Sequence, residues 1–261
     1  MTSKLRILGI ETSCDETAIS IIEASGGQNS PKFEILGNAL YSQIDTHSEY
    51  GGVFPMLAKR EHGKNIVPLL RSALEQASKK LKEKNGGSDE NSSTEFTTIS
   101  LSDQKKILMQ EALLREDTVY EQLIDFLENF TKTSNTLDTA DTGNASLAEL
   151  KFPNINAIAV TEGPGLEPAL WVGISFAKAL AIALDKSIIP VNHMEGHIVS
   201  VLMEEQGTIE SFTQENSSKQ NIKLQFPALA LLISGGHTEL VYSPKPFSYS
   251  VVGQTRDDAV G

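Results

Sequence analysis

The 261-residue sequence contains a single cysteine, Cys14, so the chain cannot form an internal disulfide. No apolar run reaches the roughly 20 residues that a helix needs to cross a bilayer. The first residues, MTSKLRILGIETS, lack the apolar segment and the small-residue cleavage site of a signal peptide. From these absences we expect a cytoplasmic protein without membrane association.

The negative charge of the chain is concentrated in one segment. Residues 85–150 hold thirteen Asp and Glu against four Lys and Arg, which accounts for −9 of the net charge of −12. The rest of the surface is therefore close to neutral, and the acidic total does not exclude nucleic acid as a partner.

The same segment has an unusual composition. Two stretches, KEKNGGSDENSSTEFTT and TSNTLDTADTGNAS, are typical of linkers. Between them, apolar residues recur at helical spacing, namely Ile107, Leu108, Leu114, Tyr120, Ile124 and Leu127. We predict an acidic insertion at about 82–150 that lies outside the conserved core, has its two ends close together in space, and carries one or two amphipathic helices. A decorated loop with a solvated face is favoured over a helix pair that docks a partner.

Strand and helix patterns alternate in the remainder of the chain. The predicted strands are LRILGIETS, TAISIIEA, FEILGNALYSQ, INAIAVTEG, SIIPV, FPALALLISGG, ELVYS and YSVVGQT. The predicted helices are EHGKNIVPLLRSALEQASKKL and ALWVGISFAKALAIALD. Strands interrupted by helices indicate a layered α/β fold.

Three turns that contain or follow glycine have two interpretations each. GIETSCDET is either an ordinary polar turn, which is favoured when it is considered alone, or a hairpin that offers hydroxyls and N–H groups to an anion. TEGPGLEPALWVG either closes a strand–helix corner or holds an anion at the helix start. LLISGGHTEL is either a tight hairpin or a point where a ligand approaches the backbone closely.

Two of only five histidines, His193 and His197, stand four positions apart in VNHMEGHIVS. Residues at i and i+4 lie on one helix face, where two imidazoles can bind one metal ion. The zinc-protease pattern has Glu next to the first histidine, and Met194 occupies that position here. The peptidase interpretation is weakened accordingly, and a structural role for the pair stays open at this point.

The order of the motifs is more specific than any one of them. GIETSCDET, YGGVFPMLAKREH, TEGPGLEPALWVG, PVNHMEGH, LISGGHT and DDAVG follow one another along the chain. Together they resemble the tRNA threonylcarbamoyladenosine transferases of the TsaD type, over residues 4–80 and 151–261. The EPALWVG form is similar to bacterial members.

The resemblance implies an actin-like ATPase (ASKHA) fold, in which two similar α/β halves enclose a ligand cleft. We expect a nearly complete first half over residues 1–225, which includes the insertion, and the start of a second half over 226–261. Because the chain stops at Gly261 inside the family's DDAVGE motif, we also expect the 261 residues alone to be inactive.

The resemblance also implies the reaction and the site. Members transfer a threonylcarbamoyl group from threonylcarbamoyl-AMP to N6 of the adenosine 3′ of the anticodon, in tRNAs that read codons beginning with A. The implied metal ligands are His193 and His197, which bind one divalent ion, iron or zinc. The implied substrate-binding residues are Leu232, Ile233, Ser234, Gly235 and Gly236, with Glu11, Thr12 and Ser13 as weaker candidates. No catalytic residue is assigned.

The implied partners are tRNA, a TsaB-type paralogue and an accessory ATPase of the TsaE type. Two alternatives share the fold, namely a non-catalytic scaffold paralogue and a small-molecule kinase. The HMEGH segment argues against both, because neither needs a pair of metal-binding histidines at this place.

Overall fold

The computed structural model describes residues 4–26, 32–84, 95–135, 151–200, 226–233, 238–245 and 248–256. Contacts divide the chain into two compact units, Met1–Val191 and Asn192–Gly261. The elements of the first unit are β1 Leu5–Glu11, β2 Glu16–Ser25, β3 Lys32–Ser42, α1 Ile44–Ser48, α2 Pro55–Lys84, β4 Phe96–Thr97, α3 Asp103–Ala112, α4 Asp117–Asn135, β5 Phe152–Pro153, β6 Ala157–Gly163, α5 Glu167–Leu184 and most of β7 Ser187–Asn192. Those of the second are α6 His193–Ser200, β8 Ala228–Ile233, β9 Thr238–Lys245 and β10 Ser248–Gln254. The α/β class predicted from the sequence is confirmed.

The first unit is built on a five-stranded sheet in the order β3-β2-β1-β6-β7. Strands β1, β2 and β3 form an antiparallel meander, and β6 runs parallel to β1. The register places Leu8 opposite Ile21 and Ile10 opposite Ile19, and all four side chains are buried. Because strand side chains alternate between faces, this pairing gives the meander one apolar face for the helices to cover.

Helices α2 and α5 cover that face. Helix α2 packs against β2, β3 and α5, and α5 packs against β1 and β6. The helix predicted from EHGKNIVPLLRSALEQASKKL lies within α2, and its apolar residues Ile66, Leu70 and Leu74 are fully buried. By length and composition α5 would suffice to cross a membrane, contrary to the expectation from the sequence, but 61% of it is buried inside the protein. It is the central helix of the core.

The sequence predicted the two helices of the acidic segment, α3 and α4. It did not predict where they pack. They pack on the hydrophobic core of the first unit, so the expectation of a decorated loop with a solvated face is wrong. Helix α3 packs on α5, and α4 packs on α2. The two helices and the turn between them contribute six buried side chains to the main core, namely Met109, Leu113, Val119, Leu123, Phe126 and Leu127. Of the six apolar residues predicted at helical spacing, Ile107, Leu108 and Leu114 are exposed. Leu127 is buried in the core, and Tyr120 and Ile124 pack against it partly buried.

The segment nevertheless begins and ends at neighbouring positions, as expected. The short strand β4 pairs with β5, so Phe96 lies opposite Pro153 and Thr97 opposite Phe152. Buried Arg6 adds to this closure, since its guanidinium forms ion pairs with both Glu23 and Glu95. The predicted end of the segment, residue 150, lies outside the described residues. The predicted start, residue 82, lies shortly before the stretch 85–94, which also lies outside them.

The second unit contains α6 and an antiparallel sheet in the order β10-β9-β8. The hairpin expected from ALALLI and ELVYS is confirmed, with Leu231 opposite Leu240. Every second residue of β8 is solvent-exposed, and Leu229, Leu231 and Ile233 are 61%, 59% and 54% exposed. This sheet therefore leaves one row of apolar side chains open to water.

The division by contacts falls between Val191 and Asn192. The boundary expected from the sequence, between 225 and 226, adjoins residues 201–225, which lie outside the described residues. Its position stays a prediction.

Candidate functional site

Helix α6, which carries the two histidines, is started by an asparagine. The Asn192 side-chain oxygen accepts hydrogen bonds from the backbone N–H groups of Met194, at 2.9 Å, and Glu195, at 3.1 Å. A side chain that accepts from the second and third residues of a helix is an N-cap, and it satisfies donors that the first turn leaves without partners. The cap fixes where the helix begins and therefore places His193 at its first position. Asn192 was not among the predicted site residues, although Asn directly before a helix is a usual start signal.

The two imidazoles converge as their spacing predicts. The Nε2 atoms of His193 and His197 are 3.0 Å apart. The ring centroids are 4.6 Å apart and the ring planes are nearly perpendicular, at 88°. One ring donates its Nε2 hydrogen to the other, so at least one histidine is neutral in this arrangement. Both Nε2 lone pairs can face a common point when each ring carries its hydrogen on Nδ1.

This geometry fits two ligands of one metal ion. Metal–nitrogen bonds of about 2.0–2.1 Å separate two imidazole nitrogens on one ion by roughly 3.0–3.4 Å. The observed 3.0 Å lies at the lower end of that interval. Among the residues that the structure describes, no group of three His, Cys, Asp or Glu side chains could hold a metal ion. The pair therefore supplies part of a coordination sphere that needs a further ligand.

The expected substrate segment begins in the same unit. Helix α6 packs against β8, and Leu232 and Ile233 are the last two residues of that strand. They pair with Glu239 and Thr238 of β9. The other three predicted residues, Ser234, Gly235 and Gly236, lie outside the described residues.

The weaker candidates belong to the turn after β1 in the first unit, where they form structural bonds. The Thr12 hydroxyl donates to the Ala169 carbonyl at 2.9 Å, and the Ser13 N–H donates to the Glu11 carboxylate at 2.5 Å. The other Glu11 oxygen accepts from the Thr161 hydroxyl at 2.5 Å. Thr12 and Ser13 are both buried. The turn is thus braced against β6 and the start of α5.

Two glycines allow this turn to approach α5. A Cβ at Gly165 would lie 2.6 Å from the Ser13 carbonyl oxygen, and a Cβ at Gly173 would lie 2.4 Å from the Thr12 hydroxyl. Side chains cannot occupy that space without moving the backbone. The Gly-Pro-Gly turn therefore closes a tightly packed strand–helix corner, one of the two interpretations that the sequence left open.

The single thiol is not a nucleophile in this environment. Cys14 is half-buried, and burial, together with the neighbouring Asp15 carboxylate, raises its pKa to about 12. Nucleophilic thiol chemistry needs the thiolate, which this shift suppresses near neutral pH.

Sequence reasoning overlooked a buried pair of histidines in the first unit, His47 and His62, although His62 ends the motif YGGVFPMLAKREH. Burial lowers the pKa of His62, while its bond to the Cys14 carbonyl and the carboxylates of Glu11 and Asp15 act in the opposite direction. A histidine placed among apolar residues of a predicted helix face was the available signal. This signal does not by itself identify the groups with which His62 forms hydrogen bonds.

A family model described as tRNA N6-adenosine threonylcarbamoyltransferase, TsaD, matches residues 34–85 and 144–261. A curated relative of that name from Koribacter versatilis (strain Ellin345) is 37% identical over 259 residues, which cover 98% of this chain and 44% of the relative. One from Staphylococcus aureus (strain JH9) is 35% identical over 261 residues, with 100% and 49% covered. The chain spans about half the length of these relatives.

A solved Aquifex aeolicus structure, from a study of its PPX-GPPA enzyme, aligns over 97% of this chain and 52% of that one. Its sequence identity of 12% and TM-score of 0.29 are too low to support a conclusion.

Proposed function

The chain belongs to the tRNA N6-adenosine threonylcarbamoyltransferase family of the TsaD type, and on this basis we propose that the full-length protein modifies tRNA. It transfers the threonylcarbamoyl group of threonylcarbamoyl-AMP to N6 of the adenosine 3′ of the anticodon, in tRNAs that read codons beginning with A. The fold class that accompanies this membership is the α/β, actin-like ATPase (ASKHA) class. The activity is proposed for the full-length protein because these 261 residues span about half of the relatives.

One observation carries the proposal beyond family membership. The Nε2 atoms of His193 and His197 approach to 3.0 Å on a capped helix that packs against β8, the strand that leads into the expected substrate segment. A scaffold paralogue or a small-molecule kinase of the same fold has no use for this pair. The histidines would hold one divalent ion, iron or zinc. When bound, the ion supplies a Lewis acid that polarises the acyl carbonyl or holds the carboxylate of the substrate.

The reaction itself makes modest demands on the protein. The N6 amine attacks the carbonyl carbon of the mixed anhydride, the bond from that carbon to the phosphate oxygen breaks, AMP leaves, and N6 gives up one proton. Because AMP is already a good leaving group, the enzyme chiefly aligns amine and carbonyl and stabilises charge on the oxygen. No covalent enzyme intermediate is required. Leu232–Gly236 and the turn at Glu11–Ser13 are the segments that we propose contact the adenylate.

The partners follow from the reaction. We expect tRNA and threonylcarbamoyl-AMP as substrates, a TsaB-type paralogue and a TsaE-type ATPase as protein partners, and a cytoplasmic location without membrane association.

Metal analysis of the full-length protein, paired with nucleoside analysis of tRNA, tests this function. The wild-type protein should bind about one iron or zinc per subunit and form threonylcarbamoyladenosine in tRNA. His193→Ala and His197→Ala should each lose most of the metal and the product. Ser200→Ala is the matched control, because its hydroxyl bonds the His197 carbonyl and not the ring.

Metal retained in a double variant of His193 and His197 would refute the metal assignment. A metal-loaded wild-type protein that forms no modified nucleoside, with the partner proteins present, would refute the reaction.

A further inference from the structure

A connected group of polar side chains is completely enclosed in the first unit, behind the turn that follows β1. Thr17, Gln43, His47 and His62 are each at most 3% exposed. The His62 Nδ1 atom is 2.7 Å from the Thr17 hydroxyl and 3.3 Å from the Gln43 amide nitrogen. The His47 Nε2 atom is 3.0 Å from the Gln43 amide oxygen. Buried polar groups need partners, and here they supply one another.

The hydrogen positions in this group follow from its fixed donors. The Phe54 backbone N–H can only donate, so His47 Nδ1 accepts from it, at 3.4 Å. His47 then carries its hydrogen on Nε2 and donates to the Gln43 oxygen. That bond orients the Gln43 amide so that its nitrogen donates to His62 Nδ1.

His62 consequently carries its hydrogen on Nε2 and donates it to the Cys14 carbonyl at 3.0 Å. The bonds from Phe54 through His47, Gln43 and His62 to Cys14 then all run in one direction, with both histidines neutral. The Thr17 hydroxyl also donates to His62 Nδ1, at 2.7 Å. The burial that lowers the pKa of His62 favours the same neutral form.

The receiving end of this chain is the turn after β1. Three successive carbonyls of the turn are held: Ser13 by the Leu166 N–H at 2.7 Å, Cys14 by His62, and Asp15 by the Gln43 N–H at 2.8 Å. A peptide unit is planar, so a bond to its carbonyl also fixes the direction of its N–H. Hydrogen bonds from the buried side of the turn therefore fix the orientations of its peptide planes.

We propose that His62 is a positioning residue, whose Nε2–H fixes the Ser13–Asp15 turn so that the adjoining segment Glu11–Ser13 is preformed for the acyl adenylate. Hydrogen bonds through Gln43 and His47 connect His62 to the backbone N–H of Phe54, at the end of the loop. The part of the proposal that concerns the adenylate rests on the proposed function, whereas the part that concerns the turn does not.

The first test measures the proton positions directly. In the wild-type protein labelled with ¹⁵N-histidine at pH 7, His47 and His62 should both be neutral with the hydrogen on Nε2. Their signals are assigned by their loss in single variants. A hydrogen on Nδ1 of His62, or a doubly protonated ring at this pH, would overturn the proposal whether or not the protein modifies tRNA.

The second test uses two replacements that differ in reach. In His62→Gln the amide nitrogen can occupy the place of Nε2 and still donate to the Cys14 carbonyl. In His62→Asn the amide reaches only the place of Nδ1 and cannot. In the full-length protein we expect His62→Gln to keep the KM for threonylcarbamoyl-AMP, and His62→Asn to raise it by about tenfold or more, with a smaller change in kcat.

Thermal unfolding is followed on the same samples. If the rise in KM follows the loss of melting temperature and not the retained donor, His62 is merely structural and the proposal fails. If the wild-type protein forms no product, the proposed function fails separately, and amide exchange at Cys14 and Asp15 in the two variants replaces KM. His62→Gln should keep the protection of these amides, and equal loss in both variants would overturn the proposal.

Discussion

The most direct test of the architecture is the substitution of Leu123 by Ala. Leu123 lies on α4, in the acidic segment that the sequence placed outside the core, and its side chain is 0% exposed. Leu114 follows α3 in the same segment and is 74% exposed. The two leucines therefore form a matched pair, in which the same chemical change is made in the core and on the surface.

The burial determines the size of the effect. Truncation of a fully buried leucine removes its transfer free energy and leaves a cavity, and it costs about 2–5 kcal/mol. Truncation of an exposed leucine changes stability by less than about 0.5 kcal/mol. With a urea slope of about 3 kcal/mol/M, at the upper end for small proteins, a loss of about 3 kcal/mol lowers the unfolding midpoint by about 1 M. Leu114→Ala should leave the midpoint nearly unchanged.

The fluorescence of Trp171 provides the assay. It is the only tryptophan of the chain and lies on α5, the helix against which α3 packs. Urea unfolding followed at this residue reports on the first unit, so unfolding of the second unit does not blur the transition. If Leu123→Ala lowers the midpoint no more than Leu114→Ala, the acidic segment is a surface decoration and its assignment to the core is wrong.

Three further predictions use comparable measurements. Gly165→Ala places a Cβ 2.6 Å from the Ser13 carbonyl oxygen and should destabilise the first unit by about 1–3 kcal/mol in the same urea assay; unchanged stability would show that the turn can move aside. Because burial lowers the pKa of His62, the unfolded chain takes up the proton first. Stability should then fall as the pH drops below about 6.5, and the fall should be smaller in His62→Gln; equal slopes in circular dichroism melts at pH 7 and 5.5 would contradict this. The exposed apolar row on β8 should make the 261-residue chain self-associate. Replacing Leu229 and Leu231 by Lys should therefore shift its elution in size-exclusion chromatography toward that of a monomer. Identical elution would show that this row does not cause self-association.

Local patterns in the sequence were sufficient for most elements of the fold. The strand LRILGIETS and the amphipathic helix EHGKNIVPLLRSALEQASKKL were predicted correctly, because each element must place its apolar residues on the side that faces the core. The convergence of His193 and His197 was predicted for a similar reason. A spacing of four residues places two side chains on one helix face whatever the rest of the chain does.

Local patterns in the sequence could not predict which elements the helices of the acidic segment pack against. Its composition suggested a solvated insertion, and the segment does present Ile107 on α3 and Leu114 after α3 to water. Which face of a helix is buried depends on the neighbour that it meets, and α3 and α4 meet α5 and α2, which are distant in the sequence. Composition records the average polarity of a segment and not the direction in which its few apolar residues point.

By itself, the sequence determined the α/β class, the family and the histidine pair, since all three depend on short patterns or on their order along the chain. Only the tertiary structure brought His62 to Cys14, 48 positions away, and Gly173 to Thr12, 161 positions away. These contacts depend on how α2 and α5 pack across the sheet. A packing contact is set by the shapes of two surfaces together, and no single stretch of sequence contains both.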